Sequence, residues 1–370
     1  MDLKNGLRIL FIVQGEGRGH ITQSIALDEM LKNSNHEVVA VISGISPQRE
    51  LPPFFRKHFG EKIISIRSPN LLKDTKNKGV RMFLSLLFNL MISPIFIISI
   101  FRINRHIRHI KPDLIINFHE LLCGFQKIFF RSSIPVVSIA HQYMYYHPCF
   151  DFPKISAFSR FSLKTVNYIT TFGSALRVAL NFSGEENYAG KSLMVAPPLL
   201  RQSIRESESV LSDHFLIYIL NEGYREDIIA FHKKHPEIKL HCFTDAETLA
   251  DKEIFSSNLT FHALDAEKYI HLLRSCKLLL STAGFESVCE AMYLGKPVVI
   301  IPVRNHPEQK INAMEAKKTG KAFVADNFDT DMILGAFDDF QADDAFKSFV
   351  DSAPDVFTKM TDSFSATTNL

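Results

Sequence analysis

The chain has 370 residues, more than one hydrophobic core usually organises, so we expect two domains of roughly 150 to 200 residues each. Hydrophobic residues make up 46% and charged residues 22% of the sequence, as in a globular protein. Five cysteines with no CxxC pair argue against a disulfide framework or a zinc site, and they favour a reducing compartment.

The net charge of +2 conceals an uneven distribution of charge. Residues 1–184 hold 23 Lys and Arg against 11 Asp and Glu, whereas the remainder holds 19 against 29. A basic N-terminal half predicts an anionic partner, either nucleic acid or membrane phospholipid. The sequence lacks zinc-finger spacing, a basic helix with heptads and an RNP-type aromatic strand, so we expect no nucleic-acid partner.

The first half of the chain predicts an α/β domain with a parallel sheet. Short β-branched runs recur, and each is followed by a polar turn and a helical pattern. The predicted strands are 8–13, 36–43, 62–67, 112–118, 134–140 and 167–172.

A glycine-rich loop follows the first predicted strand. The stretch "IVQGEGRGHITQ" contains Gly15, Gly17 and Gly19, which allow a tight turn and close approach of a ligand at a helix N-terminus. The spacing is not GxGxxG, and no acidic residue ends the second strand, which argues against a nicotinamide dinucleotide. His20 is a candidate general base, and Glu16 is a candidate to orient its imidazole.

Residues 82–101, "MFLSLLFNLMISPIFIISIF", contain no charge. Twenty apolar residues can span a bilayer, but Pro94 interrupts them, and spanning would separate the glycine loop from strands of the same sheet. We therefore expect a broken helix or helical hairpin in the membrane interface, with a buried core helix as the alternative. The flanking cations are Lys73, Lys76, Lys78, Arg81, Arg102, Arg105, Arg108 and Lys111.

Two further histidines follow predicted strands and compete with His20 as the base. His119, with Glu120 beside it, lies in "NFHELL", and His141 lies in "IAHQYMYYHP". All three positions suit general-base chemistry at the end of a strand, so the choice stays open at this point.

The second half repeats the α/β pattern. Residues 196–213 contain two prolines near their start, Pro197 and Pro198, followed by polar residues, which predicts a linker between domains 1–195 and 214–370. The two halves are expected to leave a cleft at the carboxyl ends of their strands. The predicted strands after the linker are 214–220, 238–243, 259–264, 276–282, 297–303 and 322–326.

The segment "STAGFESVCEAMYLGKPVVIIPVRNHPEQKINA" (281–313) contains the strongest motif. Gly284 opens a turn into a helix, where Ser287 and free backbone N–H groups suit a phosphate. Glu290, one turn further on, can accept hydrogen bonds from ribose hydroxyls. Glu308 and Gln309, predicted in a loop, can contact sugar hydroxyls. Together these residues predict a site for a nucleotide sugar.

The pattern G-x-x-S-x-x-E…G-x-P…E-Q-x-x-N-A resembles the donor-binding signature of GT-B glycosyltransferases. It is similar both to the MurG family of peptidoglycan N-acetylglucosaminyltransferases and to the small-molecule UDP-glycosyltransferases. The resemblance covers about residues 7–325. It implies the GT-B fold, in which two Rossmann-like parallel-sheet domains face a central cleft.

The resemblance also implies roles for individual residues. Glu290 matches the acid that binds the ribose, and Glu308 and Gln309 match the pair that contacts the donor sugar. The positions that bind the diphosphate match Gly284, Phe285 and Ser287. Asn221 to Gly223 match the turn that touches phosphate. Two departures weaken the match. Thr282 replaces a His or Arg that binds phosphate, so helix dipoles and groups such as Arg304 must balance the charge. The "NEGY" turn (221–224) also has fewer glycines than the usual form.

The implied reaction is inverting, metal-independent transfer of a hexose or N-acetylhexosamine from a UDP-sugar, with no further cofactor, to a membrane lipid or lipid-linked acceptor. The enzyme would be cytoplasmic and peripheral on the inner face of the plasma membrane. MurG-like chains carry a His-Glu-Gln segment where this chain has His141, so that residue remains a candidate base. The alternatives are transfer to a soluble small molecule and a non-catalytic or epimerase-like UDP-sugar-binding protein.

Overall fold

The structure of the chain is a computed structural model. It describes residues 6–15, 17–46, 50–69, 82–219, 221–245, 251–328, 330–338, 340 and 344–365. The described residues divide into two compact units. The first holds those within 1–70, 83–201 and 349–370, and the second holds those within 71–82 and 202–348.

The first unit is built on a seven-stranded parallel sheet. Its strands are β1 (Arg8–Val13), β2 (Glu37–Ile45), β3 (Ile63–Arg67), β4 (Leu114–Phe118), β5 (Val136–Ala140), β6 (Leu176–Leu180) and β7 (Leu193–Ala196). The order across the sheet is β3-β2-β1-β4-β5-β6-β7. Every residue of β4 and β5 is buried, because helices cover a parallel sheet on both faces and its central strands are apolar throughout.

Among the described residues, six helices accompany this sheet between β1 and β6. They are α1 (Gly19–Leu31), α2 (Pro53–Phe59), α3 (Met82–Met91), α4 (Ser93–Ile110), α5 (Leu121–Phe130) and α6 (Ala157–Thr170). Ile92 separates α3 from α4, and Pro94 lies in the first turn of α4, where its missing N–H has no helical partner to lose. The inner face of α4 packs into the core through Phe96, Ile100 and Ile103.

The second unit has a seven-stranded sheet of the same kind. Its strands are β8 (Phe215–Tyr218), β9 (Leu240–Phe243), β10 (Lys252–Ser256), β11 (Leu259–His262), β12 (Leu278–Ser281), β13 (Val298–Ile300) and β14 (Ala322–Val324). The order is β10-β11-β9-β8-β12-β13-β14. The described strands pair in parallel except for β10 with β11, which form an antiparallel edge.

The remaining helices begin after β7 and continue to the C-terminal region. They are α7 (Gln202–Arg205), α8 (Arg225–Lys234), α9 (Ala266–Ser275), α10 (Phe285–Tyr293), α11 (Pro307–Lys318), α12 (Thr330–Asp338), α13 (Ala345–Asp351) and α14 (Ala353–Ser365). The last of them, α14, packs on α1 of the first unit, and Asp362 lies 3.1 Å from His36. This division differs from the predicted second domain, 214–370, whose final stretch belongs with the first unit.

The structure confirms the predicted α/β class with two Rossmann-like sheets, and it corrects some elements. Residues 167–172 were predicted as a strand, but they contain the end of α6 and the turn after it. Strands β6, β7 and β10 were not predicted. Residue Ala196, at the start of the predicted linker, is the last residue of β7, and the linker also contains α7.

Candidate active site and donor site

The glycine loop of the first unit is shaped by close contact with β2. A Cβ added at Gly15 would lie 1.6 Å from the carbonyl oxygen of Gly44, so no larger residue fits there. Gly17 has a φ of 83°, in the left-handed region that favours glycine. Gly19 is the first residue of α1, whose N-terminal N–H groups begin at this loop. Glu16, the predicted partner of the imidazole, lies outside the described residues.

Two of the predicted bases lie together. His20 is in the first turn of α1, and its ring stacks on that of His119 with 5.3 Å between ring centroids. The Nδ1 atom of His20 lies 3.0 Å from Oε1 of Gln23. His119 follows β4 and has a φ of 57°, an uncommon conformation for a residue other than glycine.

Hydrogen bonds fix the imidazole of His119. The side-chain amide nitrogen of Asn167 donates to the Gln142 carbonyl at 2.6 Å, so the Asn167 oxygen faces His119 and accepts from its Nε2–H at 3.2 Å. Burial, and secondarily the neighbouring His20, lowers the pKa of His119 from 6.5 to about 3. His119 is therefore neutral at physiological pH.

His141 has different neighbours from that pair. It begins a 3-10 turn (His141–Tyr146) directly after β5 and is buried. Its Nδ1–H donates to the Leu180 carbonyl at 2.7 Å, which ties the end of β5 to the end of β6. Burial lowers the pKa of His141 from 6.5 to about 4. These contacts describe a bracing residue, and of the three histidines only His20 has a partly exposed side chain.

Glu120, which follows His119, is fully buried at the start of α5. Its carboxylate accepts hydrogen bonds from the Ser68 hydroxyl at 2.7 Å and from the Leu122 N–H at 3.1 Å. The side chain therefore caps α5 and holds the segment after β3.

In the second unit, sheet order brings the predicted donor segments to one edge. Strand β12 pairs with β8 on one side and with β13 on the other, all in parallel. Because parallel strands end at the same edge, the segments that follow them are neighbours there. These segments are the turn at Asn221 and Gly223, the turn at Gly284, and the chain leading to Glu308 and Gln309.

The turn after β12 leads into a buried helix start. Gly284 is the N-cap of α10, and Phe285 is its first residue. The Ser287 hydroxyl donates to the Gly284 carbonyl at 3.2 Å and lies 3.2 Å from the Ser281 hydroxyl. The Asn312 side chain, from α11, donates to the Ala283 carbonyl at 3.0 Å and so holds this turn in place. A helix N-terminus of this kind offers backbone N–H groups to an anion.

Two carboxylates lie in α10, all of whose residues are buried. Glu290 is 3% exposed and lies one turn beyond Ser287, on the same side of the helix. Glu286, which we did not single out from the sequence, is also buried, four residues before Glu290. The signal that could have found it is the i, i+4 spacing of two acids in an otherwise apolar helix.

Glu308 and Gln309 lie in the first turn of α11, not in the loop that we predicted. Pro307 is the first residue of this helix, a position that proline favours, and His306 caps it by accepting the Gln309 N–H at 3.4 Å. The Gln309 side-chain oxygen accepts the Val303 N–H at 2.8 Å. This contact bridges the segment after β13 to α11 and fixes the amide of Gln309.

The turn after β8 is short and regular. Residues Glu222–Tyr224 form a 3-10 turn, and the Tyr224 N–H donates to the Asn221 carbonyl at 3.0 Å. Asn221 and Gly223 are partly exposed, and α8 begins directly afterwards. Within the described part of the chain, no three or more His, Cys, Asp or Glu side chains are grouped so that they could hold a metal ion.

The segment predicted to meet the membrane has an exposed outer face. Helix α3 and the first half of α4 expose large apolar side chains, while Arg102, Arg105 and Arg108 are exposed further along α4. The exposed apolar residues are Leu84, Leu87, Leu90, Met91, Ile95, Ile97, Ile98 and Phe101. Of the helices that the structure describes, none has both the length and the apolarity needed to cross a bilayer. Lys73, Lys76, Lys78 and Arg81 lie outside the described residues.

Residues 7–339 match the family model described as Glycosyl transferase family 1. The chain belongs to this family. The resemblance to GT-B glycosyltransferases is thereby confirmed, and the family spans both units described above. A solved structure with the same fold is that of Arabidopsis thaliana UGT89C1 complexed with UDP-L-rhamnose. It has a TM-score of 0.61 and 14% sequence identity, with 100% of each chain covered.

Two curated relatives of this glycosyltransferase are both UDP-N-acetylglucosamine–N-acetylmuramyl-(pentapeptide) pyrophosphoryl-undecaprenol N-acetylglucosamine transferases. The one from Rickettsia canadensis (strain McKiel) is 24% identical over 349 residues, covering 86% of this chain and 86% of that protein. The one from Alkaliphilus metalliredigens (strain QYMF) is 23% identical over 241 residues, covering 58% of this chain. That match spans 61% of the Alkaliphilus protein's length, less than two thirds.

Proposed function

We propose that this family member is an inverting, metal-independent glycosyltransferase that moves a hexose or N-acetylhexosamine from a UDP-sugar to a membrane lipid or lipid-linked acceptor. The observation that carries the proposal is the edge of the second sheet, where the turns after β8 and β12 and the start of α11 are neighbours. The names of the two curated relatives support a UDP-N-acetylglucosamine donor and a polyprenyl-linked acceptor as the first pair to test.

The diphosphate, the ribose and the sugar of a UDP-sugar each have a proposed partner at that edge. The diphosphate binds in the turn at Gly284, where α10 begins, through the backbone N–H of Phe285 and the hydroxyl of Ser287. Glu290 accepts hydrogen bonds from the two ribose hydroxyls, because a buried carboxylate has acceptor capacity that water does not compete for.

The donor sugar and the phosphates have further proposed contacts. Glu308 and Gln309 contact the sugar from the first turn of α11, and the hydrogen bond from the Val303 N–H fixes the orientation of the Gln309 side chain. Asn221 and Gly223 approach the phosphates from the turn after β8. UDP-sugar is the co-substrate in this proposal, and no further cofactor takes part.

His20 is the proposed general base. It removes the proton of the acceptor hydroxyl while that oxygen attacks the anomeric carbon, and the helix N-termini stabilise the departing nucleoside diphosphate. The partial exposure of His20 lets its ring meet a substrate, whereas His119 and His141 are buried. His119 supports the His20 ring as a neutral stacking partner, and the loop at Gly15, Gly17 and Gly19 brings His20 to the start of α1.

The acceptor is proposed to be a lipid because α3 and α4 expose a band of apolar side chains with arginines beside it. Such a face inserts shallowly among lipid headgroups, and its cations bind anionic phospholipid. We accordingly propose a peripheral protein on the cytoplasmic face of the plasma membrane.

The direct test is product formation with vesicles. The protein is incubated with UDP-N-acetylglucosamine, UDP-glucose or UDP-galactose and with vesicles that contain a polyprenyl-linked or a diacylglycerol acceptor. We expect UDP to be released and a glycosylated lipid to form. We expect the reaction to proceed equally well in EDTA and the product to have the anomeric configuration inverted relative to the donor.

The same assay separates the alternatives. Transfer only to soluble acceptors would overturn the lipid proposal, and UDP binding without any transfer would favour a binding protein. Loss of product in EDTA would overturn metal independence. A retained anomeric configuration would overturn the inverting mechanism.

A further inference from the structure

The helices α4, α5 and α6 form a continuous layer on one face of the first sheet. Strands β3, β4, β5 and β6 follow one another with each crossover in the same direction across the sheet, and right-handed crossovers place their helices on one side. Contacts agree with this arrangement, since α4 packs on α5 and α5 packs on α6. The outer surfaces of the three helices therefore face the same way.

Helix α6 carries an exposed aromatic stripe. Phe158, Phe161 and Tyr168 fall within about 80° of one another on a helix that turns 100° per residue. Phe161 is 69% exposed and Tyr168 is 61% exposed, although rings of this size usually find cover in a protein. Phe172, in the turn after α6, extends the stripe, and its ring centroid lies 6.0 Å from that of Tyr168.

The stripe on α6 is connected to α4 through α5. The ring of Phe101 on α4 contacts that of Phe130 on α5, with 5.2 Å between ring centroids. Phe129, the residue before Phe130, is exposed. The backbones of α5 and α6 approach closely, because a Cβ added at Gly124 would lie 1.8 Å from the Ile169 carbonyl oxygen. All three helices of this layer therefore carry exposed aromatic side chains.

The charge of these helices indicates what covers the surface. Helices α3, α4, α5 and α6 contain no Asp or Glu, whereas they contain six Lys and Arg residues. Arg160 and Lys164 of α6 lie 5.2 and 5.3 Å from the ring centroid of Phe152. An apolar surface with cations and no carboxylates is complementary to anionic phospholipid, whereas a second copy of the same surface would oppose like charges.

We propose that the stripe of Phe158, Phe161, Tyr168 and Phe172 is a second membrane-contacting element, which inserts into an anionic bilayer beside α3 and α4. This inference rests on the proposed function, in which α3 and α4 already meet the membrane. It extends the contact to α6, which follows β5 and its 3-10 turn, so the protein lies on the bilayer with the whole helix layer of the first unit.

The test uses the fact that the chain contains no tryptophan. Three single-tryptophan variants are compared: Phe161→Trp in the stripe, Phe101→Trp on α4, and Phe255→Trp on β10 as the control. Phe101 is 60% and Phe255 is 42% exposed, so none of the three changes disturbs a core. Each variant is titrated with phosphatidylcholine vesicles with and without phosphatidylglycerol, and lipids brominated on their chains quench any tryptophan that enters the bilayer.

We expect a blue-shifted, bromolipid-quenched emission for Phe161→Trp and Phe101→Trp with phosphatidylglycerol vesicles, and no change for Phe255→Trp. If the emission of Phe101→Trp is blue-shifted and quenched but that of Phe161→Trp is not, this inference is overturned and the proposed function stays intact. No response of either variant would overturn the membrane contact of both. A blue shift of Phe161→Trp that rises with protein concentration in the absence of vesicles would assign the stripe to self-association instead.

A second variant measures how much the stripe contributes. Replacing Phe161 and Tyr168 together by serine removes two rings, each of which buries about 150–250 Å² when covered. We expect the partition coefficient into anionic vesicles to fall at least about tenfold. An unchanged partition coefficient would overturn the proposal, and a melting temperature and far-UV circular dichroism spectrum like those of the wild type would show that the variant is folded.

Discussion

The buried His141 should make the stability of the protein depend on pH. Its pKa is about 4 in the folded state, against 6.5 for an exposed imidazole, because burial disfavours the charged ring. The folded state therefore prefers neutral His141, and protonation favours unfolding. The contribution of His141 is fully present above pH 6.5, is lost as the pH falls from 6.5 to 4, and changes no further below that. A pKa difference of about 2.5 corresponds to about 3 kcal/mol.

The variant His141→Asn isolates this contribution. Asparagine can place a donor near the position of Nδ1 and keep the hydrogen bond to the Leu180 carbonyl, but it does not titrate. Denaturant unfolding at pH 7 and pH 4 should show that the wild type loses about 3 kcal/mol more than the variant. The difference between the two proteins removes the contribution of His119, whose pKa is also lowered. An equal loss in both proteins would show that a group other than His141 causes the pH dependence.

Three further predictions concern the proposed site. His20→Ala should lower kcat at least about tenfold while UDP affinity stays unchanged, and normal turnover would remove His20 from the mechanism. Gly15→Ala should lower the melting temperature more than Gly17→Ala does, because only the former places a Cβ 1.6 Å from a carbonyl oxygen; the opposite order would contradict the loop geometry. Gln309→Glu keeps an oxygen for its backbone partner but loses its N–H donors, so UDP-sugar affinity should fall while UDP affinity and stability hold. If Gln309→Glu changes the affinity for UDP and for UDP-sugar by the same factor, Gln309 does not contact the sugar.

The parallel sheets could be predicted because their buried strands consist of short runs rich in β-branched residues. β1, β4 and β5 fall within predicted strands, and so do β8, β12 and β13, which position the proposed donor site. Glycine, serine and proline marked the turns and the starts of α10 and α11. These signals are local in the sequence, so one chain is enough to read them.

What the sequence could not give depends on distant partners. The run 167–172 has strand-like residues, yet the Ser156 cap and a buried helix face that includes Asn167 make it the end of α6. Asn167 holds His119 across 48 positions, and Glu120 accepts from Ser68 across 52 positions. No periodicity announces such pairs, because folding alone brings them together.

The proposed choice of His20 as the base rests on burial, which also depends on residues distant in the sequence. His20, His119 and His141 all follow strands, and the sequence could not rank them by environment. The structure gives His20 partial exposure and gives the other two lowered pKa values with burial as the largest cause.

The proposed function requires that the second unit bind a uridine nucleotide through Glu290. The most direct measurement is calorimetric titration of UDP, GDP and dTDP into the wild type, Glu290→Ala and the matched control Glu237→Ala. Glu237 is exposed and precedes β9, at the opposite edge of the sheet from the proposed site. We predict that UDP binds the wild type and the control alike and binds Glu290→Ala at least about tenfold more weakly, since two charge-assisted hydrogen bonds are lost. UDP binding that is unchanged in Glu290→Ala would remove Glu290 from the donor site, and no nucleotide binding by the folded wild type would overturn the proposed function.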